Sequence, residues 1–275
     1  MARLLIFFGK VAYKPQRTLF QALGAKFIDD IKEVVNPDTP ISRYGRTWRV
    51  SQPVCKDKFF MGKLGFMSSA TETKTYYDEK QKDFIEQPVD TKQGYYIQWV
   101  IDLSTQMIAF EAKPPDIKYQ SFIGAFGSLL NERPDIGLTI EGIVQSARFF
   151  EWATQVDRIT KFTAHLRPPN PDFASRPRFI RELLEDTNAD SAKVELSKNK
   201  ESSETLNTQK TIRDLVKYGE DGYSTISAHG FRNESPTTFD SKREMPIEQI
   251  DVPPPTSVDK IWDYIIEALK KKFRK

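Results

Sequence analysis

The chain has 275 residues, of which 39% are hydrophobic, 12% aromatic and 29% charged. This composition argues against a chain that is disordered throughout, because such chains lack enough apolar side chains to bury. The length is typical of about two domains. The formal net charge is only +3, so the net charge by itself indicates no particular partner.

The charge is unevenly distributed along the sequence. Residues 1–60 contain eleven Lys or Arg and five Asp or Glu, and residues 259–275 contain six basic and three acidic residues. The rest of the chain is therefore acidic on balance. Segregated charge of this kind predicts an electropositive face on the folded protein.

Cys55 is the single cysteine, so no intrachain disulfide can form, which favours a reducing compartment. Neither of the two histidines lies near it in sequence, and Cys55 is interpreted as a buried or incidental thiol, not as a nucleophile. The apolar run at residues 4–8 is too short for a membrane span or a secretory signal. We therefore expect a cytoplasmic protein without a membrane span.

Taken in chain order, the first half of the sequence is rich in predicted strands. Residues 4–8 are typical of a buried strand, and apolar residues spaced three and four apart predict an amphipathic helix over residues 16–35, ended by Pro37. The elements predicted next are strands over residues 47–50, 59–67 and 76–89, a hairpin with arms 95–103 and 107–113, and a helix over residues 119–130.

Helices and strands alternate after residue 135. This change predicts two α+β domains: a strand-rich domain with an antiparallel sheet over residues 1–135, and a domain of alternating helices and strands over residues 136–250. Residues 251–275 are predicted to form a proline-rich linker and a basic C-terminal helix. The apolar stripe of that helix would pack on the chain's own core or on a second subunit.

Asp102, Glu111 and Lys113 are the sharpest candidates for catalysis. They resemble the core of restriction-type nucleases, in which carboxylates hold a metal ion and a lysine assists the attacking water. A tight turn near residues 104–105 places Gln98 opposite Glu111, so Asp102 lies four residues, roughly 13 Å, from that position. This distance is too long for one shared metal ion, and the alternative is a charged pair facing solvent. No metal ion or cofactor is predicted.

Basic residues interleaved with aromatic residues give the stronger prediction. Residues 43–49 read RYGRTWR, in which arginine forks match phosphate and aromatic rings can stack on bases. The alternative for residues 43–49 is a strand edge protected by charge. The alternative for residues 161–181 and for the terminal KKKFRK is ordinary solvated charge at helix ends. The prediction requires the basic clusters to converge into one track. The predicted nucleic-acid-binding residues are Arg43, Arg46, Trp48, Arg49, Lys161, Arg167, Arg176, Arg178, Arg181, Lys270, Lys271, Lys272 and Arg274.

The order of segments between residues 95 and 231 resembles that of the RexA-like phage-exclusion family and related prokaryotic antiphage defence proteins. The resemblance is carried by a hairpin, a helix, a proline-rich connector and a late strand, which read WVIDLSTQMIAFEAK, GAFGSLL, LRPPNPDF and GYSTISAHGF. It implies two α+β domains, a homodimer and sequence-independent DNA binding that blocks phage, and it implies no enzymatic activity. The helix over residues 16–35 and RYGRTWR have no counterpart in it.

Three hypotheses follow from the sequence. The first is a non-enzymatic protein that binds nucleic acid, DNA rather than RNA, in antiphage defence or phage exclusion. The second is a protein–protein adaptor of a defence complex that uses the C-terminal helix and strand edges. The third is a metal-dependent nuclease built on Asp102, Glu111 and Lys113.

Overall fold

The computed structural model describes residues 2–14, 24–168, 178–187, 189, 191–199, 202–241, 246–253 and 257–273. Two separate antiparallel sheets with helices packed on them confirm the predicted α+β class. In chain order the elements are β1 (Ala2–Tyr13), α1 (Gly24–Val34), β2 (Ile41–Arg43), β3 (Arg46–Val50), β4 (Val54–Lys56), β5 (Phe59–Asp78), β6 (Asp83–Asp102), β7 (Met107–Ala112), α2 (Tyr119–Asn131), β8 (Leu138–Gly142), α3 (Ser146–Gln155), β9 (Arg158–Leu166), α4 (Arg178–Asp186), β10 (Ala192–Ser197), α5 (Thr211–Glu220), β11 (Ser224–Arg232), β12 (Ser235–Asp240), β13 (Ile247–Val252) and α6 (Val258–Phe273).

The larger sheet has nine strands, and its main path runs β13-β1-β7-β6-β5-β3-β2. Strand β4 pairs with β5, and β8 pairs with β1, beside this path. Because successive side chains of a strand point to opposite faces, β1 places Ile6 and Phe8 on one face and Phe7 on the other. Both faces of the sheet are therefore apolar, and both have to be covered.

Helices α1 and α2 cover one face of the larger sheet. Phe122 of α2 stacks on Phe110 of the sheet at 4.2 Å between ring centroids, and Phe126 meets Trp99 edge to face at 5.3 Å. Helix α6 covers the other face and buries Leu269 there, so its apolar stripe packs on the chain's own core. Neither α6 nor any other described helix is long and apolar enough to cross a membrane.

The smaller sheet has four strands in the order β10-β9-β11-β12. Helices α3, α4 and α5 bury apolar side chains against it. Side chains of β9 alternate from Phe162 to Leu166, with Phe162, Ala164 and Leu166 in the core, but this alternation is broken at Thr160. The register shifts by one residue there, because Thr160 forms a β-bulge, and Ile159 takes the core position instead.

The two sheets are interleaved along the chain. Strands β8 and β13 both pair with β1 in the larger sheet, so the predicted boundaries at residues 135 and 250 do not separate the sheets. Contacts between backbone groups join the sheets where they meet: the Val144 N–H donates to the Gly219 carbonyl at 3.1 Å. The Arg167 side chain likewise donates to the Tyr13 carbonyl at 3.2 Å.

A long hairpin arm extends from the larger sheet. Strands β5 and β6 pair without a register break from Phe59↔Asp102 to Asp78↔Asp83, whereas β3 pairs with β5 only as far as Phe66. Residues 67–94 therefore form a two-stranded ribbon, which we call the arm. Its twelve register pairs extend roughly 40 Å at about 3.3 Å per residue.

Candidate nucleic-acid interface

The turn between β2 and β3 displays aromatic and basic side chains at one end of the larger sheet. Arg43 pairs with Arg46, and the two residues between them both have positive φ, 55° at Tyr44 and 67° at Gly45. Two successive positive φ values are typical of a type I′ turn, whose twist matches that of the paired strands. The turn leaves the Tyr44 side chain 57% exposed.

Three exposed arginines surround this turn, and with Tyr44 they form what we call the arginine corner: Arg43, Tyr44, Arg46 and Arg49. The Arg43 guanidinium lies 5.3 Å from the Tyr44 ring centroid, and the Arg46 guanidinium lies 4.1 Å from that of Phe66. Within the described part of the chain, none of the three arginines is in a salt bridge with an acidic residue. Stacking on a ring leaves the guanidinium N–H groups directed outward, where phosphate oxygens can accept from them.

A second basic group lies beside Arg49 on the face of the sheet that α6 covers elsewhere. Arg49 pairs with Gly65, and Gly65 pairs with Tyr96. The Lys63 and Lys113 ammonium groups lie 4.9 and 4.3 Å from the Tyr96 ring centroid. We call Lys63, Tyr96 and Lys113 the Tyr96 cluster.

The arginine corner and the Tyr96 cluster form one surface around the sheet edge. Arg46 lies on the same face of the sheet as Trp48. Arg49 lies on the opposite face, as Tyr96 does, because successive side chains of a strand point to opposite faces. The three-residue step from Arg46 to Arg49 spans roughly 10 Å of strand, which is close to the screening length of about 8 Å at physiological salt. A polyanion that crosses this edge would therefore meet Arg46 on one face and Arg49 and Lys63 on the other, whereas Lys113 is paired with Glu111.

Trp48 is not part of this exposed surface, and its prediction as a binding residue is wrong. Its side chain is fully buried and packs edge to face on Phe66 at 4.9 Å. The indole Nε1–H donates to the Arg43 carbonyl at 3.1 Å. Trp48 therefore anchors the turn that displays the arginines, and it cannot stack on a base.

Lys161 and Arg167, the described members of the predicted cluster beside the smaller sheet, are already paired with acids. The Lys161 ammonium lies 2.8 Å from a Glu195 carboxylate oxygen, and Lys193 approaches the same carboxylate at 2.8 Å. Hydrogen bonds from Lys161 and then Lys193 lower the pKa of Glu195 to about 2. Arg167 is in an ion pair with Glu141.

A pocket of about 230 Å³ opens beside this paired region and is lined by Glu141, His165, Arg167, Lys193 and Ser224, among others. Its two strong bases are Arg167 and Lys193, and both are in ion pairs. The pocket therefore offers a weaker attraction for phosphate than the arginine corner does.

Arg176, Arg274 and the side chains of Arg178 and Arg181 lie outside the described residues, so their predicted role stays a prediction.

The C-terminal lysines lie on α6, over the far part of the larger sheet. Lys271 pairs with Glu248 at 3.0 Å, and the Lys270 ammonium lies 5.5 Å from the Phe59 ring centroid. Burial lowers the pKa of Lys272, although the charges of Glu248 and Glu220 oppose this.

The predicted clusters do not form one continuous track among the described residues. Phe59, next to Lys270, is six residues along β5 from Gly65, the partner of Arg49, which is roughly 20 Å. The smaller sheet meets the larger one at β1 and β8, whereas the arginines lie at its β2–β3 end. The expectation of convergence is therefore wrong for Lys161, Arg167 and Lys270–Lys272.

The hairpin that carries Asp102 and Glu111 has the predicted register, since Trp99 pairs with Phe110 and Asp102 with Met107. Asp102 pairs with Lys58 at 2.5 Å and accepts a hydrogen bond from the Ser104 hydroxyl at 2.6 Å. The two carboxylates are thus engaged at separate places along the hairpin.

Glu111 is fully buried, accepts a hydrogen bond from the Gln98 N–H at 2.9 Å, and pairs with Lys113 at 2.8 Å. Among the described residues no group of three or more His, Cys, Asp or Glu side chains is placed to hold a metal ion. Asp102, Glu111 and Lys113 therefore do not assemble a nuclease site, and Lys113 joins the Tyr96 cluster instead.

Comparison with known protein families identifies one match. The sequence matches the family described as "Domain of unknown function (DUF4747)" over residues 56–270, which is more than three quarters of the chain. The chain belongs to the DUF4747 family. No curated protein matches the sequence.

The DUF4747 match begins within β4 and ends within α6. It includes the arm, the smaller sheet and the Tyr96 cluster. The arginine corner precedes the matched residues. The basic surface of this DUF4747 protein therefore combines side chains from inside and outside the family match.

Lys63 and Tyr96 were not among the residues predicted from the sequence to belong to the basic surface. They belong to different strands, and only the three-strand register that joins Arg49, Gly65 and Tyr96 brings them beside Arg49. Alternation within each strand gives the face of each residue, but no local pattern gives the register between strands.

Proposed function

We propose that this protein binds nucleic acid without sequence preference and without catalysis, with DNA as the expected partner, and that it does so in the cytoplasm. The observation that carries the proposal is that Arg43, Arg46 and Arg49 are exposed without an acidic partner in the described part of the chain. Arginine side chains of this kind bind phosphate oxygens through paired N–H donors.

One feature supports binding without sequence preference. Tyr44 and Tyr96 provide rings beside the basic groups, and every base has a face on which such rings can stack. Phosphate contacts would therefore supply most of the affinity.

The proposal is tested with a gel-shift series on labelled duplex DNA, single-stranded DNA and RNA of one length. Replacing all three arginines by alanine should weaken DNA binding about a hundredfold, which corresponds to about 2.7 kcal/mol, or a little under about 1 kcal/mol for each exposed arginine. The matched control replaces Lys161 and Lys193, which are paired with Glu195, and it should bind like the wild type. Equal binding by the arginine variant and the wild type would refute the proposal.

A role in antiphage defence is the second part of the proposal, and the resemblance to RexA-like proteins supports it. Cells that express the wild-type chain should reduce plaque formation by at least one temperate phage, and cells that express the triple arginine variant should not. Equal protection by the wild type and the triple arginine variant would show that defence does not depend on the three arginines.

Self-association is also expected from that resemblance. The apolar stripe of α6 cannot provide the contact, because Ile265 and Leu269 are buried against the chain's own sheet. Of the two contact surfaces in the adaptor hypothesis, the C-terminal helix and the strand edges, only the strand edges are still available. The edges of the arm are the longest among the described strands.

A further inference from the structure

The arm presents two strand edges that no described strand covers. Strand β5 has no partner on its outer side beyond Phe66, and β6 has none before Trp99. No described side chain between residues 67 and 94 is buried, and Phe84 is 69% exposed. Because an isolated two-stranded ribbon is only marginally stable in water, additional pairing along one of these edges would stabilise the arm.

Backbone N–H and carbonyl groups alternate in direction along β5, toward β6 and away from it. The contacts of Lys63 show which residues direct these groups to the outer edge, the edge away from β6. At the base of the strand, the Lys63 N–H donates to the Ser51 hydroxyl at 3.0 Å, and the Lys63 carbonyl accepts from the Ser51 N–H at 2.9 Å. Both Lys63 groups thus point away from β6. The register of β5 and β6 is unbroken, so every second residue repeats this orientation, and Thr73 directs its N–H and carbonyl outward.

The two edges of the arm differ at their midpoint. Pro88 of β6 lies opposite Thr73, and the backbone groups of both residues point away from the partner strand. The ring nitrogen of Pro88 therefore faces the outer edge of β6. Proline has no N–H to donate, and proline on an edge strand blocks the addition of another strand. The outer edge of β6 is therefore interrupted by Pro88, whereas that of β5 carries no proline.

The sequence of β5 around Thr73 is complementary to itself when reversed. The five residues in question are Thr71, Glu72, Thr73, Lys74 and Thr75. In an antiparallel pair of two such strands with a two-fold axis at Thr73, residue 74 of each copy lies opposite residue 72 of the other. Each lysine then faces a glutamate, and threonine faces threonine at the remaining positions, pairs that stabilise antiparallel strands.

We propose that β5 of a second copy of this chain pairs antiparallel with β5 along the outer edge of the arm, with the two-fold axis at Thr73. The two arms then form a four-stranded sheet, and the same surface serves both copies, as in most symmetric dimers. The central hydrogen bonds join Thr73 of one copy reciprocally to Thr73 of the other. Tyr77 of each copy lies opposite Ser69 of its partner and loses part of its 48% exposure.

The first test measures the mass of the full chain by sedimentation equilibrium over about a hundredfold range of concentration, because dimerisation follows mass action. The wild type should be a dimer, and Thr73→Pro should raise the dimer dissociation constant about tenfold or more by removing the central outward N–H groups. Lys92→Pro is the matched control, since it places proline at an outward position of β6, and it should dimerise like the wild type. A wild-type chain that stays monomeric, or a Thr73→Pro variant that dimerises normally, would overturn the proposal.

The second test examines the charge pairs and does not depend on proline. Lys74→Glu places like charges opposite each other in the proposed register and should weaken the dimer, because such pairs destabilise antiparallel strands. The double variant Glu72→Lys with Lys74→Glu restores opposite charges and should dimerise like the wild type. Failure of the double variant to recover would exclude this register, whatever the outcome for nucleic-acid binding.

Discussion

The arginine corner and the basic residues of the smaller sheet are alike in sequence and differ in structure. Both groups lie on antiparallel strands. Lys161 has Glu195 as its neighbour, and Arg167 has Glu141, whereas none of Arg43, Arg46 and Arg49 has an acidic partner among the described residues. A basic run is therefore available to bind phosphate only where no acidic side chain pairs with it.

The two regions also differ in how their basic side chains are held. Arg167 donates to the Tyr13 carbonyl, which belongs to the larger sheet, so it joins the two sheets. The corner arginines contact aromatic rings, Arg43 that of Tyr44 in the turn and Arg46 that of Phe66 in β5, and Trp48 anchors the turn from beneath. The first region uses positive charge for stability, and the second displays it to solvent.

The largest expected effect concerns the anchor of the corner. Trp48→Ala should reduce the free energy of unfolding by about 3–5 kcal/mol, the usual range for a buried tryptophan, and the turn should lose its fixed shape. Chemical denaturation followed by circular dichroism measures this change. Trp48→Phe keeps a buried ring and should cost less, and an unchanged midpoint for Trp48→Ala would show that the side chain is not part of the core.

The next effect concerns the link between the sheets. Arg167→Ala should reduce the free energy of unfolding by about 1–3 kcal/mol, because the partly buried Glu141 carboxylate loses its ion pair with the Arg167 guanidinium. The same denaturation measurement applies. Lys161→Ala is the exposed control, for which we expect less than about 1 kcal/mol, and equal losses for both variants would remove the proposed difference between them.

The smallest effect concerns the neutralised lysines. The pKa of Glu195 should be about 2 in the wild type, and Lys161→Ala should raise it toward the ordinary glutamate value of about 4.3. Because the folded-state pKa is lowered, the contribution of these pairs to stability is present above the ordinary value and is lost as the pH falls toward 2. Carboxyl carbon resonances followed against pH measure it, and a Glu195 that titrates normally in the wild type would contradict the pairing.

The elements and one register could be predicted from the sequence because local patterns determine them. The apolar spacing of α2 and α6 predicted both helices, and the tight turn of the β6–β7 hairpin correctly placed Gln98 opposite Glu111. The short strands β2, β4, β12 and β13 gave no clear pattern. Strand β13 pairs with β1 across some 240 residues, and no local signal reports such a pairing.

The candidate site was predicted in part. The RYGRTWR segment drew attention to Arg43, Arg46 and Arg49, but Trp48 and Arg49 were both predicted to bind, although neighbouring residues of a strand point to opposite faces. Lys193 has Glu195 two residues along its own strand. Whether Lys161 also has this acid beside it depends on the register of β9 with β10, which pairs Glu195 with Thr163, and no pattern within β9 gives that register.

The salt dependence of DNA binding tests the central claim most directly. The logarithm of the binding constant should fall linearly with the logarithm of salt concentration, with a slope of about −0.9 for each phosphate contacted. Replacing Arg43, Arg46 and Arg49 by alanine should make the slope shallower by about 2.7, and replacing Lys161 and Lys193 should leave it unchanged. Equal slopes for the wild type and the arginine variant would show that the arginine corner does not contact the phosphate backbone.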